Sequence, residues 1–172
     1  MKQRDFVLQF GSIKEGKHQF EYHLTDSFFK FIDGSLITNA NVVVLLEFER
    51  FVNHLQLKFD LKGWVEKECD VCLSTIQYPI KSSQTLLVKM SSSPEEDEAE
   101  IVWLPLDAHE IDLTTHLYDF VVLSIPIKVV CKDSLNRKEC DKEIIKKMSF
   151  KEDSAGNENH PEWQKLKDIF KN

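Results

Sequence analysis

Apolar and polar residues alternate most cleanly between His54 and Glu66, where Leu55, Leu57, Phe59 and Leu61 fall on one face and Gln56, Lys58, Asp60 and Lys62 on the other. A period of two marks a strand with one buried face. Ile76 to Met90 alternates again, less strictly, so the two runs predict antiparallel neighbours joined by the short segment between them. Ahead of them, Asn41 to Phe51 opens on Val42-Val43-Val44-Leu45-Leu46, an unbroken apolar run that predicts a strand buried on both faces. Nearer the start, Asp5 to Phe10 (Phe6, Leu8 and Phe10 on one face) and Lys17 to Leu24 predict an edge hairpin. Ile101 to Leu104 predicts one more short strand.

Helical spacing appears in three places. Phe28, Phe29 and Ile32 predict a short core-packed helix over Ser27 to Ile32, capped by Thr25 or Asp26. Past His109 to Leu113, Asp112 or Thr114 can cap a helix that places Leu117, Phe120, Val121 and Ser124 on one stripe. Tyr118, Val122 and Ile125 fill the next, so this helix is expected to pack on the sheet, and Pro126 stops it. Ile127 to Cys140 is irregular, and Glu143 to Met148 predicts a helical turn. Lys151 to His160 is polar; Pro161 then opens a terminal helix with Trp163, Leu166, Ile169 and Phe170 on one face. The expected fold class is α+β: a β-rich antiparallel meander or partly open barrel with a packed helix and a C-terminal helix. The expected organisation is a domain over 1–147, a linker over 148–160 and the terminal helix over 161–172.

A chain of 172 residues, 42% apolar and 30% charged, is long enough for one domain with a sizeable core. Twelve phenylalanines predict large aromatic plugs in it. The net charge of -7 argues against gripping naked nucleic acid through phosphates alone, since each phosphate contact needs a Lys or Arg. A local basic face, or recruitment through a basic protein partner, stays compatible with it. Much of the excess acid lies in Ser91 to Glu100, a proline-broken carboxylate run that predicts a solvated, mobile loop. The N-terminus lacks the apolar core of a signal peptide and no run of 18 apolar residues occurs, so the expected location is cytoplasmic, away from membranes.

In that compartment a cysteine pair is a metal or redox site before it is a disulfide. Cys69 and Cys72 form a Cys-x-x-Cys turn between the two alternating runs, and such a knuckle brings two thiolates to one soft cation such as zinc. Cys131 and Cys140 complete a possible set of four, with His109 and His116 in reserve. A redox pair would open a helix after a strand, and Leu73-Ser74-Thr75 offers no helix. Four reduced thiols packed in a core are the bland alternative. No Gly-x-Ser-x-Gly, phosphate-binding glycine loop or His-Glu-x-x-His occurs, so neither an enzyme nor a small-molecule substrate is expected.

Cys69-Asp70-Val71-Cys72-Leu73, the preceding Gly63-Trp64-Val65, and Val122-Leu123-Ser124-Ile125-Pro126-Ile127-Lys128 with cysteines beyond it resemble the YceD family, the large ribosomal RNA subunit accumulation proteins. The resemblance covers roughly Phe6 to Cys140. It differs in two places: Val71 stands where many members have arginine, and no cysteine follows at Glu143 to complete a second Cys-x2-Cys. The resemblance implies a non-catalytic role in large-subunit biogenesis, needed for accumulation of large-subunit ribosomal RNA. It implies as partner a ribosomal protein or the precursor rRNA; the local basic stretch from Lys128 to Lys147 leaves direct RNA contact open, with Lys128, Lys132, Arg137 and Lys138 as the candidate contacts. Four thiols suffice for one structural Zn2+ at Cys69, Cys72, Cys131 and Cys140. The alternative is a protein that delivers zinc to a zinc-ribbon ribosomal client.

Overall fold

The computed structural model describes residues 3–92 and 100–149. In chain order the strands are β1 (Val7–Leu8), β2 (Gly16–Thr25), β3 (Ala40–Arg50), β4 (His54–Glu68), β5 (Thr75–Ser91), β6 (Ile101–Pro105) and β7 (Ile111–Asp112). The helices are α1 (Asp26–Phe31), α2 (Thr114–Leu123) and α3 (Lys142–Ser149). Strands β2 to β5 form an antiparallel meander, and β6 joins the far edge alongside β5, parallel to it. The sheet is open, and the fold is α+β.

The alternation read from β4 determines which face is covered. Leu55, Leu57, Phe59 and Leu61 are buried, and so are their register partners Val44, Leu46 and Phe48 on β3 and Leu86 and Val88 on β5. Over that face lie α1, through Phe28 and Phe29, and α2, through Leu117, Phe120 and Val121. Aromatic rings fill the space between layers as expected, with Phe59 and Phe120 centroids 5.1 Å apart and Phe6 and Phe28 4.7 Å apart. The Thr114 N–H donates to Asp112 Oδ1 at 2.8 Å, so Asp112 caps the start of α2.

Two expectations are corrected. The N-terminal strand does not form a hairpin with β2: β1 pairs with β7, and β2 pairs with β3. Phe6, Leu8 and Phe10 are buried all the same, because pairing with β7 carries them over the core. The apolar run of β3 is covered on one face only, leaving Val43 half-buried and Leu45 37% exposed. The antiparallel meander itself is as expected, with β6 added parallel at its edge. Residues 93–99 of the acidic stretch and the expected terminal helix over 161–172 lie outside the described residues.

Strands β3 and β4 come unusually close at Gly63. A Cβ built there would lie 2.1 Å from the Asn41 carbonyl oxygen and 2.7 Å from Val42 Cα. Beyond this point β4 continues with Trp64 and Val65 and ends at the cysteine turn.

Candidate metal centre and the basic segment beside it

Glu68 and Thr75 are the last paired residues of β4 and β5, so the six residues between them must reverse the chain. They do so as a knuckle: the Cys69 N–H donates to the Ser74 carbonyl at 3.0 Å and the Leu73 N–H to the Cys69 carbonyl at 2.9 Å. Leu73 closes the turn at φ 58°, a left-handed conformation that costs an L-residue about 1–2 kcal/mol. Glycine adopts it freely but loses more freedom on folding. Leu73→Gly is therefore expected to stabilise the fold by about 0.5–1 kcal/mol in urea titration, provided its exposed side chain contributes nothing to folding.

The turn also directs backbone N–H groups at its own sulfurs. Burial pushes the Cys69 thiol up, but the N–H groups of Cys72 and Val71 outweigh it and bring its pKa below the ordinary value. Cys72 is lowered further, to about 6, by the Ser74 hydroxyl 3.4 Å away and by the Asp141 and Ser74 N–H groups. Cys131 moves the opposite way: burial is the main cause that raises it, and the neighbouring sulfurs of Cys72 and Cys69 add to the rise. Burial also raises Cys140. The knuckle is thus the half of the cluster that ionises first.

The second arm is tied to the knuckle by ordinary hydrogen bonds. Asp70 makes a closed ring with Val129, its N–H donating to the Val129 carbonyl at 2.9 Å and its carboxylate accepting the Val129 N–H. Cys131 opens a short 3-10 turn, Cys131–Asp133, after which buried Ser134 donates its hydroxyl to the Cys131 carbonyl at 2.7 Å. The Leu135 N–H then donates to the Gln77 carbonyl at 2.9 Å, fastening the loop to the outer edge of β5. Ile76, Val129, Ile125 and Ile144 pack around the thiols as a small core of their own. Asp70→Ala removes a charged acceptor and leaves the Val129 N–H unpaired, which should cost about 2 kcal/mol in denaturant unfolding. Asp70→Asn, which keeps an acceptor oxygen, should cost less.

All four sulfurs converge. Cys72 and Cys131 Sγ lie 3.4 Å apart, Cys69 and Cys140 Sγ 3.7 Å apart, and the whole set falls within 4.8 Å. Four thiolates at about 2.3 Å from one ion in a tetrahedron lie about 3.8 Å from one another, so the arrangement matches a four-sulfur metal site in number and spacing. Cys69, Cys72 and Cys131 are buried and Cys140 is half-buried. Neither reserve histidine joins them: His109 lies against Gly11, and His116 lies near the Phe120 ring.

Lys128, Lys132, Arg137 and Lys138 are all exposed and all sit on the second arm. Lys128 precedes the residue held by Asp70, and Lys132 follows Cys131. Arg137 and Lys138 form the approach to Cys140, with Arg137 at φ 45° and its N–H donating to the Ser134 carbonyl at 2.9 Å. The cation spacing was legible in the sequence. The clamping roles of Asp70 and Ser134 were not, because their partners lie far along the chain.

Among the described residues no helix is long and apolar enough to cross a membrane. A family model described as large ribosomal RNA subunit accumulation protein YceD matches residues 57–170, from β4 through all four cysteines. No curated protein and no solved structure matches the chain. The match spans more than half of the sequence and holds the knuckle, its partner arm and the basic segment together. The chain belongs to the YceD family of large ribosomal RNA subunit accumulation proteins.

Proposed function

We propose that this chain is a cytoplasmic, non-catalytic factor of large-subunit biogenesis. In this reading one structural Zn2+ at Cys69, Cys72, Cys131 and Cys140 holds the basic segment against the end of the sheet. Lys128, Lys132, Arg137 and Lys138 then meet precursor rRNA or a ribosomal protein. The observation that carries the reading is the convergence of four sulfurs from two arms separated by some sixty residues. Thiolate ligands in a closed, four-coordinate set are the hallmark of structural zinc.

Delivery of zinc to a ribosomal client is the second reading, and the half-exposed Cys140 is the feature that favours it. Burial of the other three sulfurs supports retention of the ion instead. Incubation with a metal-free zinc-ribbon peptide separates the two: retention predicts no transfer over hours, and rapid transfer would establish delivery.

The role is tested by sedimentation of the tagged chain in lysate gradients, with large-subunit precursors followed in the same fractions. Co-migration that is lost when Lys128, Lys132, Arg137 and Lys138 are all changed to Gln is the expected result. Co-migration that survives would move the contact elsewhere on the chain. A chain confined to the top of the gradient, even after cross-linking, would refute stable particle binding.

Metal affinity should also fall with acid. The Cys72 pKa is depressed to about 6 in the folded state, so the stability its thiolate contributes is fully present above the ordinary thiol value and is lost as pH falls through about 6, where the thiolate itself is protonated. Zinc retention against a fixed chelator is therefore expected to weaken steeply below that pH, whereas retention unchanged down to pH 5 would contradict it.

A further inference from the structure

The open face of the sheet carries a charge pattern that the cysteine arm completes. Lys62 on β4 and Lys81 on β5 are direct register partners on the uncovered face, both exposed. Like charges directly opposite on a sheet repel. Neither lysine has a carboxylate partner among the described residues, although Lys17 and Lys58 nearby do. The next register pair on that face is Trp64 with Pro79, half-buried and exposed respectively, which together make a flat apolar step. On the far side of Pro79 a cleft of about 520 Å³ is lined by Tyr78, Pro79, Lys132, Leu135 and Arg137. Asp133 also lines it, but its carboxylate accepts from the Val130 N–H at 3.4 Å. Lys132 and Arg137 likewise lack an ion-pair partner among the described residues.

We infer that the Trp64–Pro79 step, flanked by Lys62 and Lys81 on one side and Lys132 and Arg137 on the other, is a binding track for single-stranded RNA. Four cations with no carboxylate partner among the described residues, set around one aromatic step on a chain of net charge -7, are not explained by folding, which the Lys62–Lys81 pair opposes. An unstacked base has the flat face that a half-buried tryptophan beside an exposed proline accepts, and its flanking phosphates supply anions for the lysines. A duplex hides its base faces and fits less well. This inference deepens the proposed role and rests on it: it names the RNA form and adds Lys62, Trp64, Pro79 and Lys81 to the basic segment.

The test is fluorescence anisotropy of the full chain with a labelled oligouridylate about twelve nucleotides long, a length within the site size of comparable single-strand grooves. Saturable binding is expected, with a slope of log affinity against log salt near -3, about 0.7 for each of four phosphates. The double variant Lys62→Gln/Lys81→Gln should weaken binding about tenfold or more and roughly halve that slope. Trp64→Ala should weaken it about tenfold while leaving the slope alone. Lys17→Gln, elsewhere on the same face, should bind as the parent does; every variant should keep the parent's folded circular-dichroism spectrum, and Lys62→Gln/Lys81→Gln should melt no lower than the parent. Absence of binding at low salt, or a double variant that binds like the parent, overturns the inference. Displacement of the oligonucleotide by polyglutamate as readily as by unlabelled RNA also overturns it, in favour of an acidic protein segment. Large-subunit rRNA accumulation in cells depleted of the chain tests the underlying role separately. Normal accumulation would refute that role whatever the oligonucleotide does, and a defect rescued by the Lys62→Gln/Lys81→Gln chain would refute the track alone.

Discussion

Cys69→Ser is expected to release the bound metal and to destabilise the protein by about 4 kcal/mol or more, among the largest effects open to a single substitution in this chain. Cys69 is fully buried, 3.7 Å from Cys140 Sγ, and its own sulfur receives the N–H groups of the turn. In the proposed site, removing one of the four thiolates leaves buried Cys72 and Cys131 with half-buried Cys140 and an incomplete coordination shell, so an ion would no longer join the two arms. The remaining ties are the Asp70–Val129 ring, the Ser134 turn and a small apolar cluster. Loss should therefore be local first. Backbone amides from Val129 to Arg137 should exchange rapidly in deuterium while those of β3 and β4 stay protected. An unchanged melting curve with unchanged metal content would refute a structural site.

Gly63→Ala should be nearly as damaging, on the order of 3 kcal/mol or more, for an unrelated reason. The atoms a Cβ would meet, Asn41 O and Val42 Cα, belong to the backbone of β3 and cannot rotate aside. The two strands must separate at the Val42–Gly63 pair or β4 must twist out of register near the knuckle. Thermal unfolding of Gly63→Ala against a Ser83→Ala control, an exposed site on β5, measures this directly. A loss below 0.5 kcal/mol, the size of an ordinary surface change, would mean that the close approach is easily relaxed.

Where the sequence was legible, a single physical constraint determined the pattern. Leu55, Leu57, Phe59 and Leu61 mark a strand because only one face of β4 meets the core, and Leu117, Phe120 and Val121 mark a helix for the same reason. Val43 and Leu45 misled, because an apolar run signals burial on both faces whether or not a second layer exists to provide it. The partner of β1 was illegible for a different reason. Two strand residues carry no record of whether they pair with the next strand or with Ile111 and Asp112 a hundred residues later. The parallel docking of β6 is a long-range choice of the same kind.

The candidate site divides in the same way. Cys-x-x-Cys announces a knuckle by local geometry, and four cysteines in one chain nominate one another as ligands. Their convergence, however, depends on Asp70 meeting Val129 and Leu135 meeting Gln77, contacts that no spacing rule contains. Lys62 and Lys81 are visible as charges in the sequence, but their juxtaposition exists only in the register of β4 against β5.

The central claim is that two distant cysteine arms share one structural metal ion. Mass spectrometry of the purified chain under non-denaturing conditions, before and after acidification, tests it most directly. The account predicts one zinc ion per chain, shed on acid unfolding, and none on chains carrying Cys69→Ser or Cys131→Ser. A parent chain purified without chelator that carries no metal, or a Cys131→Ser chain that keeps its zinc, would contradict it.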